Sequence, residues 1–119
     1  MFQSYYYVRR NTHNVLADHL MPLPTLPPPL LVLASLADGP KHGYAMIEDI
    51  ERMSGAVLGP GTLYGAITRL EQGGLIRPLQ QKERRQPYQI TADGLRELRT
   101  RLETMNRFAQ MSMRKLEAR

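Results

Sequence analysis

The residues of this chain best suited to chemistry are hydrogen-bonding and cationic. Between positions 61 and 72 the apolar residues Leu63, Ile67 and Leu70 recur at helical spacing. At about 100° per residue, a helix centred on that stripe sets Gly61, Gly65, Thr68 and Gln72 on the opposite side, with Thr62, Tyr64 and Arg69 on its flanks. Small residues let such a helix approach the floor of a major groove about 12 Å wide, where Thr and Gln bond base edges, Tyr and Thr hydroxyls reach phosphate, and Arg serves both. Further on, Lys82, Arg84 and Arg85 lie among Gln80, Gln81 and Gln86, with Glu83 diluting the charge. That group suits phosphate or an adjacent minor groove. Either pattern alone is also an ordinary solvated face; together they point to nucleic acid.

Catalytic chemistry has little to stand on. The absence of cysteine excludes disulfides, thiolate zinc sites, Fe–S clusters and thiol nucleophiles. The segment Gly59-Pro-Gly-Thr-Leu-Tyr-Gly65 has one residue too many in its second gap for a dinucleotide fingerprint, and no Gly-Lys-Ser/Thr phosphate loop occurs. No Ser/His/Asp set or paired carboxylates fall on a recognisable scaffold. His42 lacks a ligand-spaced partner and reads as a turn histidine or helix-start contact, and His13 and His19 do not make a site. The expectation is a non-enzyme with no cofactor and no metal.

A length of 119 residues, 42% hydrophobic and 23% charged, fits one small globular domain, with or without a tail. Sixteen Lys and Arg against 11 Asp and Glu give a net charge of +5. Residues 1–68 carry four basic and five acidic groups, whereas residues 69–119 carry 12 and 6. The whole excess is C-terminal and favours an anionic partner. No apolar run approaches the roughly 20 residues that cross a bilayer, and the opening residues lack the order of a secretory signal, so a cytoplasmic location without a membrane partner is expected.

The elements that must position these groups are set by punctuation and period. Five of the nine prolines fall between Pro22 and Pro29, separating an N-terminal arm from the domain. Residues 30–37 read as a buried helix, with Pro28 or Pro29 in its first turn and Asp38-Gly39-Pro40 as its stop. A second helix is expected over 43–53, with Tyr44, Ile47 and Ile50, and also Met46 and Met53, on its apolar side, and a third over 62–72. Residues 75–79 and 88–91 are strand-like and joined by eight polar residues, giving a hairpin with a flexible basic tip. From Ala92 a helix of about 27 residues, about 40 Å long, is expected. Its Leu95, Leu98, Leu102, Met105, Ala109 and Leu116 are spaced 3, 4, 3, 4 and 7, an a/d seam with Ser112 as its polar d position. So small a domain cannot cover that seam alone, which predicts a partner helix from a second copy.

Helix, helix, helix, hairpin, long helix is the order of a winged helix-turn-helix with an appended dimerisation helix, a mainly α fold with a small β-hairpin. Four stretches make the reading specific: Leu36-Ala-Asp-Gly-Pro-Lys-His-Gly-Tyr-Ala-Met-Ile47, Leu58-Gly-Pro-Gly-Thr-Leu-Tyr64, Arg69-Leu-Glu-Gln-Gly-Gly-Leu-Ile76 and Arg84-Arg-Gln-Pro-Tyr-Gln-Ile-Thr-Ala-Asp-Gly-Leu95. In order and spacing they resemble the successive signatures of the PadR family of bacterial transcriptional regulators. The resemblance implies a homodimeric repressor whose third helix enters the major groove of double-stranded DNA, whose wing touches the backbone and whose last helix pairs subunits. By position, Thr62 and Tyr64 match residues that meet DNA, and Arg84 and Arg85 match the basic wing. The chain departs from the family pattern at Gly59, Gly65 and Thr68, where Ser or Thr, Pro, and Lys or Arg are frequent.

The resulting expectation divides the chain into an arm and Pro-rich linker (1–25), a winged helix-turn-helix DNA-binding domain (26–91) and a dimerisation helix (92–119). It makes the protein a sequence-specific regulator, acting as a homodimer on an inverted repeat and relieved by a hydrophobic small-molecule effector. Met105, Met111 and Met113 with Phe108 suit an adaptable apolar pocket between subunits, although at helical spacing such residues more often form a core or dimer seam. The competing reading is a winged-helix protein–protein adaptor that uses the same surfaces without DNA.

Overall fold

The computed structural model describes residues 26–119, so the expected arm and most of the Pro-rich linker lie outside the described residues. The first described helix, α1 (Pro28–Leu36), places two prolines in its opening turn, where their missing N–H groups cost nothing. It is apolar on nearly every side, burying Leu31, Val32, Leu33 and Leu36, and touches every later helix. An all-round apolar helix is stable only at the centre of a core. Its one buried polar side chain, Ser35 at 1% exposure, donates from Oγ to Asp49 Oδ2 at 2.7 Å.

That bond belongs to a small polar staple. Lys41 Nζ donates to the Ser35 carbonyl and to Asp38, while Asp49 also takes Arg52 at 2.7 Å. The hydrogen bond from Lys41, with its charge, holds the Asp38 carboxyl below its ordinary range. Lys41 opens β1 (Lys41–His42), a two-residue strand leading into α2 (Gly43–Ser54). Met46 and Ile50 of α2 are buried and Ile47 is partly buried against them, but Tyr44 and Met53 are exposed, contrary to their expected place on the apolar side. The inward stripe is narrower than the sequence period implied because α2 meets the core along one edge.

After a connector whose Ala56 and Leu58 are buried comes α3 (Pro60–Gln72), with Leu63, Ala66, Ile67 and Leu70 buried. Strand β2 (Ile76–Pro78) and strand β3 (Pro87–Ile90) pair antiparallel with Ile76 opposite Ile90. The expected two-stranded hairpin is in fact a three-stranded sheet in the order β1-β3-β2, because Lys41 pairs with Tyr88 and His42 with Pro87.

The wing tip also differs from expectation. Its polar residues are not a flexible connection: Lys82 and Arg85 exchange backbone hydrogen bonds of 3.0 and 2.7 Å around Glu83 and Arg84, which both take positive φ, +48° and +67°. This is the twist of a tight primed turn. Below it, the Gln86 side chain donates to the carbonyls of Leu79 and Pro87 and braces the two arms.

The last helix, α4 (Ala92–Glu117), runs 26 residues. Thr91 caps it by accepting from the Gly94 N–H at 3.0 Å, while its own hydroxyl donates to the Gly74 carbonyl and its backbone N–H to Leu75. Gly94 lies so close to the sheet that an added Cβ would overlap the Leu75 carbonyl oxygen and stand 2.7 Å from Ile90 Cγ1. Because the obstacle is backbone, Gly94→Ala is expected to destabilise the fold by about 3 kcal/mol, read as a thermal midpoint lower by more than about 10 °C. Gly65→Ala, at an open position inside α3, is expected to raise stability by about 0.5–1 kcal/mol in the same melts.

Candidate nucleic-acid interface

The outward face of α3 carries the groups assigned to it from sequence. Gly61, Tyr64, Gly65, Thr68, Arg69 and Gln72 are exposed and Thr62 is half-buried. The Thr68 hydroxyl donates to the Tyr64 carbonyl of its own helix at 2.9 Å, so its free capacity is as an acceptor. Tyr64, 47% exposed, does not extend outward from the helix. Its ring leans over the start of α2 and comes against Gly43, where an added Cβ would overlap the hydroxyl and sit 2.7 Å from Cζ.

Lys82, Arg84 and Arg85 of the wing are exposed. The β1–β3 pairing brings Arg85 Nη1 to 3.0 Å from His42 Nε2, although the two residues are 43 apart in sequence. Arginine only donates, so Nε2 is the acceptor and the imidazole proton sits on Nδ1. That tautomer competes with the long 3.4 Å approach of the Ala45 N–H to Nδ1 at the start of α2. His42 occupies the N-cap of α2, the helix-start position expected of it, and its single acceptor nitrogen serves either the Ala45 N–H or, as the tie between wing and α2, Arg85. That second role is not visible in the sequence. Its signal lies in the strand pairing, which two residues of β1 are too few to announce.

Between the wing, the start of α2 and Tyr64 lies a cleft of about 290 Å³, lined among others by His42, Tyr44, Gln81, Arg84 and Arg85. The residues expected to meet DNA therefore fall into two groups. Gly61, Thr62, Gly65, Thr68, Arg69 and Gln72 form the helix face, and Tyr64, Arg84 and Arg85 converge on the cleft, while Lys82 is exposed on the wing outside both. Tyr88 takes no part. Burial first, then the charge of Glu71 and that of Tyr64, both on α3, push its phenol above the ordinary value, as befits a ring packed against the core.

Along α4 the expected seam divides. Leu95, Leu102, Ala109 and Leu116 are exposed, Met105 is partly buried, and Leu98, at 5% exposure, belongs to the hydrophobic core of the chain itself. A groove of about 480 Å³ runs beside Leu95, Leu98 and Leu102, with Ala37 at its end and Arg99 and Glu103 on its edges. Met105, Phe108, Met111 and Met113, expected to suit an apolar pocket, do not line it; the last three are exposed further along the helix. Among the described residues there is no cluster of side chains that could hold a metal ion, and no helix is long and apolar enough to cross a membrane.

This arrangement has close counterparts. The protein is 49% identical over 80 residues to an uncharacterized 37.1 kDa protein in a transposon of Streptomyces fradiae; the match covers 67% of this chain but only 23% of that relative. Among solved structures it resembles a transcriptional regulator from Clostridium thermocellum (TM-score 0.64, 28% identity, 71% of this chain and 84% of that one). It also resembles a PadR family transcription regulator from Clostridium difficile (0.65, 24%, 75% and 96%) and one from Eggerthella lenta (0.59, 29%, 70% and 71%). The C. difficile likeness, at its lower identity, speaks for the fold. The sequence profile of the PadR-like transcriptional regulators matches residues 32–100, well over half of the chain. With that match and the winged-helix order of its elements, the chain belongs to the transcriptional regulator PadR-like family.

Proposed function

We propose that the protein is a DNA-binding transcriptional regulator that acts as a homodimer and represses by occupying an inverted-repeat operator. The observation that carries this reading is that Tyr64 of α3, whose outward face is exposed, lines one cleft with Arg84 and Arg85 of the wing, and that no carboxylate pairs with either arginine among the described residues. In this reading α3 enters the major groove, where Gln72 and the accepting hydroxyl of Thr68 read base edges, while Arg69 and the wing position the protein on phosphate. Residues 26–91 act as the DNA-binding unit.

Two such units need a fixed spacing of about one helical turn of duplex, ~34 Å, which a dimer supplies. The exposed stripe of Leu95, Leu102, Ala109 and Leu116, with Met105 beside it, is the surface that a second α4 covers. Leu98 contributes by holding α4 to its own domain rather than by crossing to the partner. Repression is competition: a bound dimer excludes polymerase. A hydrophobic small molecule seated along α4 would change occupancy by favouring one helix spacing over another.

Binding to a duplex selected from a random pool is expected to weaken steeply with salt. Arg84→Ala with Arg85→Ala should weaken binding to all sequences alike and flatten the salt slope by about 2, one for each lost phosphate contact. Gln72→Ala should instead cost about 1–3 kcal/mol on the preferred sequence and relax preference at one base pair. Anisotropy titrations at several salt concentrations check both, and unchanged binding by both variants would remove the assignment of helix and wing. Leu102→Glu is expected to yield monomers in sedimentation equilibrium and to lose half-site cooperativity; a variant that remains a dimer would show that α4 does not pair the subunits.

A further inference from the structure

His42 stands between two donors. Its Nδ1 faces the Ala45 N–H, in the first turn of α2, at 3.4 Å, and its Nε2 faces Arg85 Nη1 at 3.0 Å. A neutral imidazole has one proton and one bare nitrogen, so it accepts from one of these donors and turns its own N–H on the other. In the protein by itself the wing has the advantage. A hydrogen bond from a guanidinium is roughly twice as strong as one between neutral groups, and here it is also the shorter. With the proton on Nδ1, the first turn of α2 lacks the side-chain cap that its N-cap residue is placed to give, and no acidic side chain in that turn takes over.

The backbone on both sides is fixed. The β1–β3 pairing holds His42 opposite Pro87, while the primed turn and the Gln86 brace hold Arg85. What can change place is the Arg85 side chain, whose contact among the described residues is the imidazole, and the ring proton. We propose that His42 is a positioning residue that exchanges tautomers when the wing is engaged: as Arg85 turns to the duplex, the freed imidazole caps α2 through Nδ1. Nδ1 loses its proton to water and Nε2 takes one from water, so the ring stays neutral and no net proton is bound. The inference rests on the DNA-binding reading and adds a link between the wing and the helices. Because α2 packs on α3, a cap formed only while the wing is engaged steadies the reading helix at that moment and not before.

The test uses the full chain at about pH 8, above the range in which a histidine ordinarily titrates. Ring 15N spectra are recorded in protein carrying His13→Gln and His19→Gln, in which His42 is the one remaining imidazole. The proton is expected on Nδ1 in the free protein and on Nε2 with saturating duplex. Hydrogen exchange at the Ala45 amide should slow about fivefold on binding, the worth of about one net hydrogen bond. His42→Asn supplies a good cap oxygen but falls short of the wing, so Ala45 should exchange slowly with or without duplex. His42→Gln reaches Arg85 but caps poorly, so Ala45 should exchange fast in both states. A ring that keeps one tautomer or gains a second proton while the duplex binds overturns the proposal and leaves the DNA reading intact. Ala45 protection that appears equally in His42→Gln does the same. A proton already on Nε2 in the free protein overturns the proposal whether or not DNA binds, and a wild-type protein that binds no duplex at low salt overturns the DNA reading itself.

Discussion

The arrangement depends on β3 lying in the middle of its sheet. On one edge it takes β1 and thereby fixes where α2 starts; on the other it takes β2, which continues the turn that ends α3; and its last residue leads directly into the cap of α4. Four residues thus join three helices and the wing. Each pairing hydrogen bond is worth only about 1 kcal/mol net, but leaving a buried partner unmade costs more, so the short strands are held by their neighbours rather than by their own length. The cleft exists only because both edges of β3 are occupied.

Helix limits are legible in the sequence to within one or two residues because their causes are local. Pro28 and Pro29 open α1, Gly55 in the left-handed conformation ends α2, and the Leu63, Ile67, Leu70 stripe defines α3. The strand β1 is not legible: Lys41-His42 is too short to show a period, and its partners Pro87 and Tyr88 lie more than 40 residues away. The exposure of Tyr44 and Met53 escapes a reading by period, because helical spacing says which residues share a side but not how wide a side the core accepts. The wing turn reads as flexible in sequence because Glu83-Arg84 lacks the glycine or asparagine that usually marks positive φ. Of the candidate site, the α3 face is readable from period and chemistry. The meeting of Tyr64, His42 and Arg85 is not, since it depends on close approach at Gly43 and on the pairing of β1.

Charge follows the same division. In the first half of the domain Asp38, Lys41, Asp49 and Arg52 neutralise one another and hold α1 to α2. In α4, Asp93 with Arg96 and Glu97 with Arg101 pair along the helix, which lends a long, half-exposed element some local support. The wing arginines have no such companions among the described residues.

Thr91 has a mechanical consequence. Its hydroxyl and backbone N–H reach Gly74 and Leu75 at the end of the α3 turn, while the same side chain caps α4 and Gly94 packs the first turn of that helix onto the sheet. With no slack at this corner, α4 behaves as a rigid stem fused to its head. In the proposed dimer, any rotation of one stem against the other would be transmitted to the reading heads without loss in a flexible joint, so the crossing angle of two helices would act as the ruler for operator spacing.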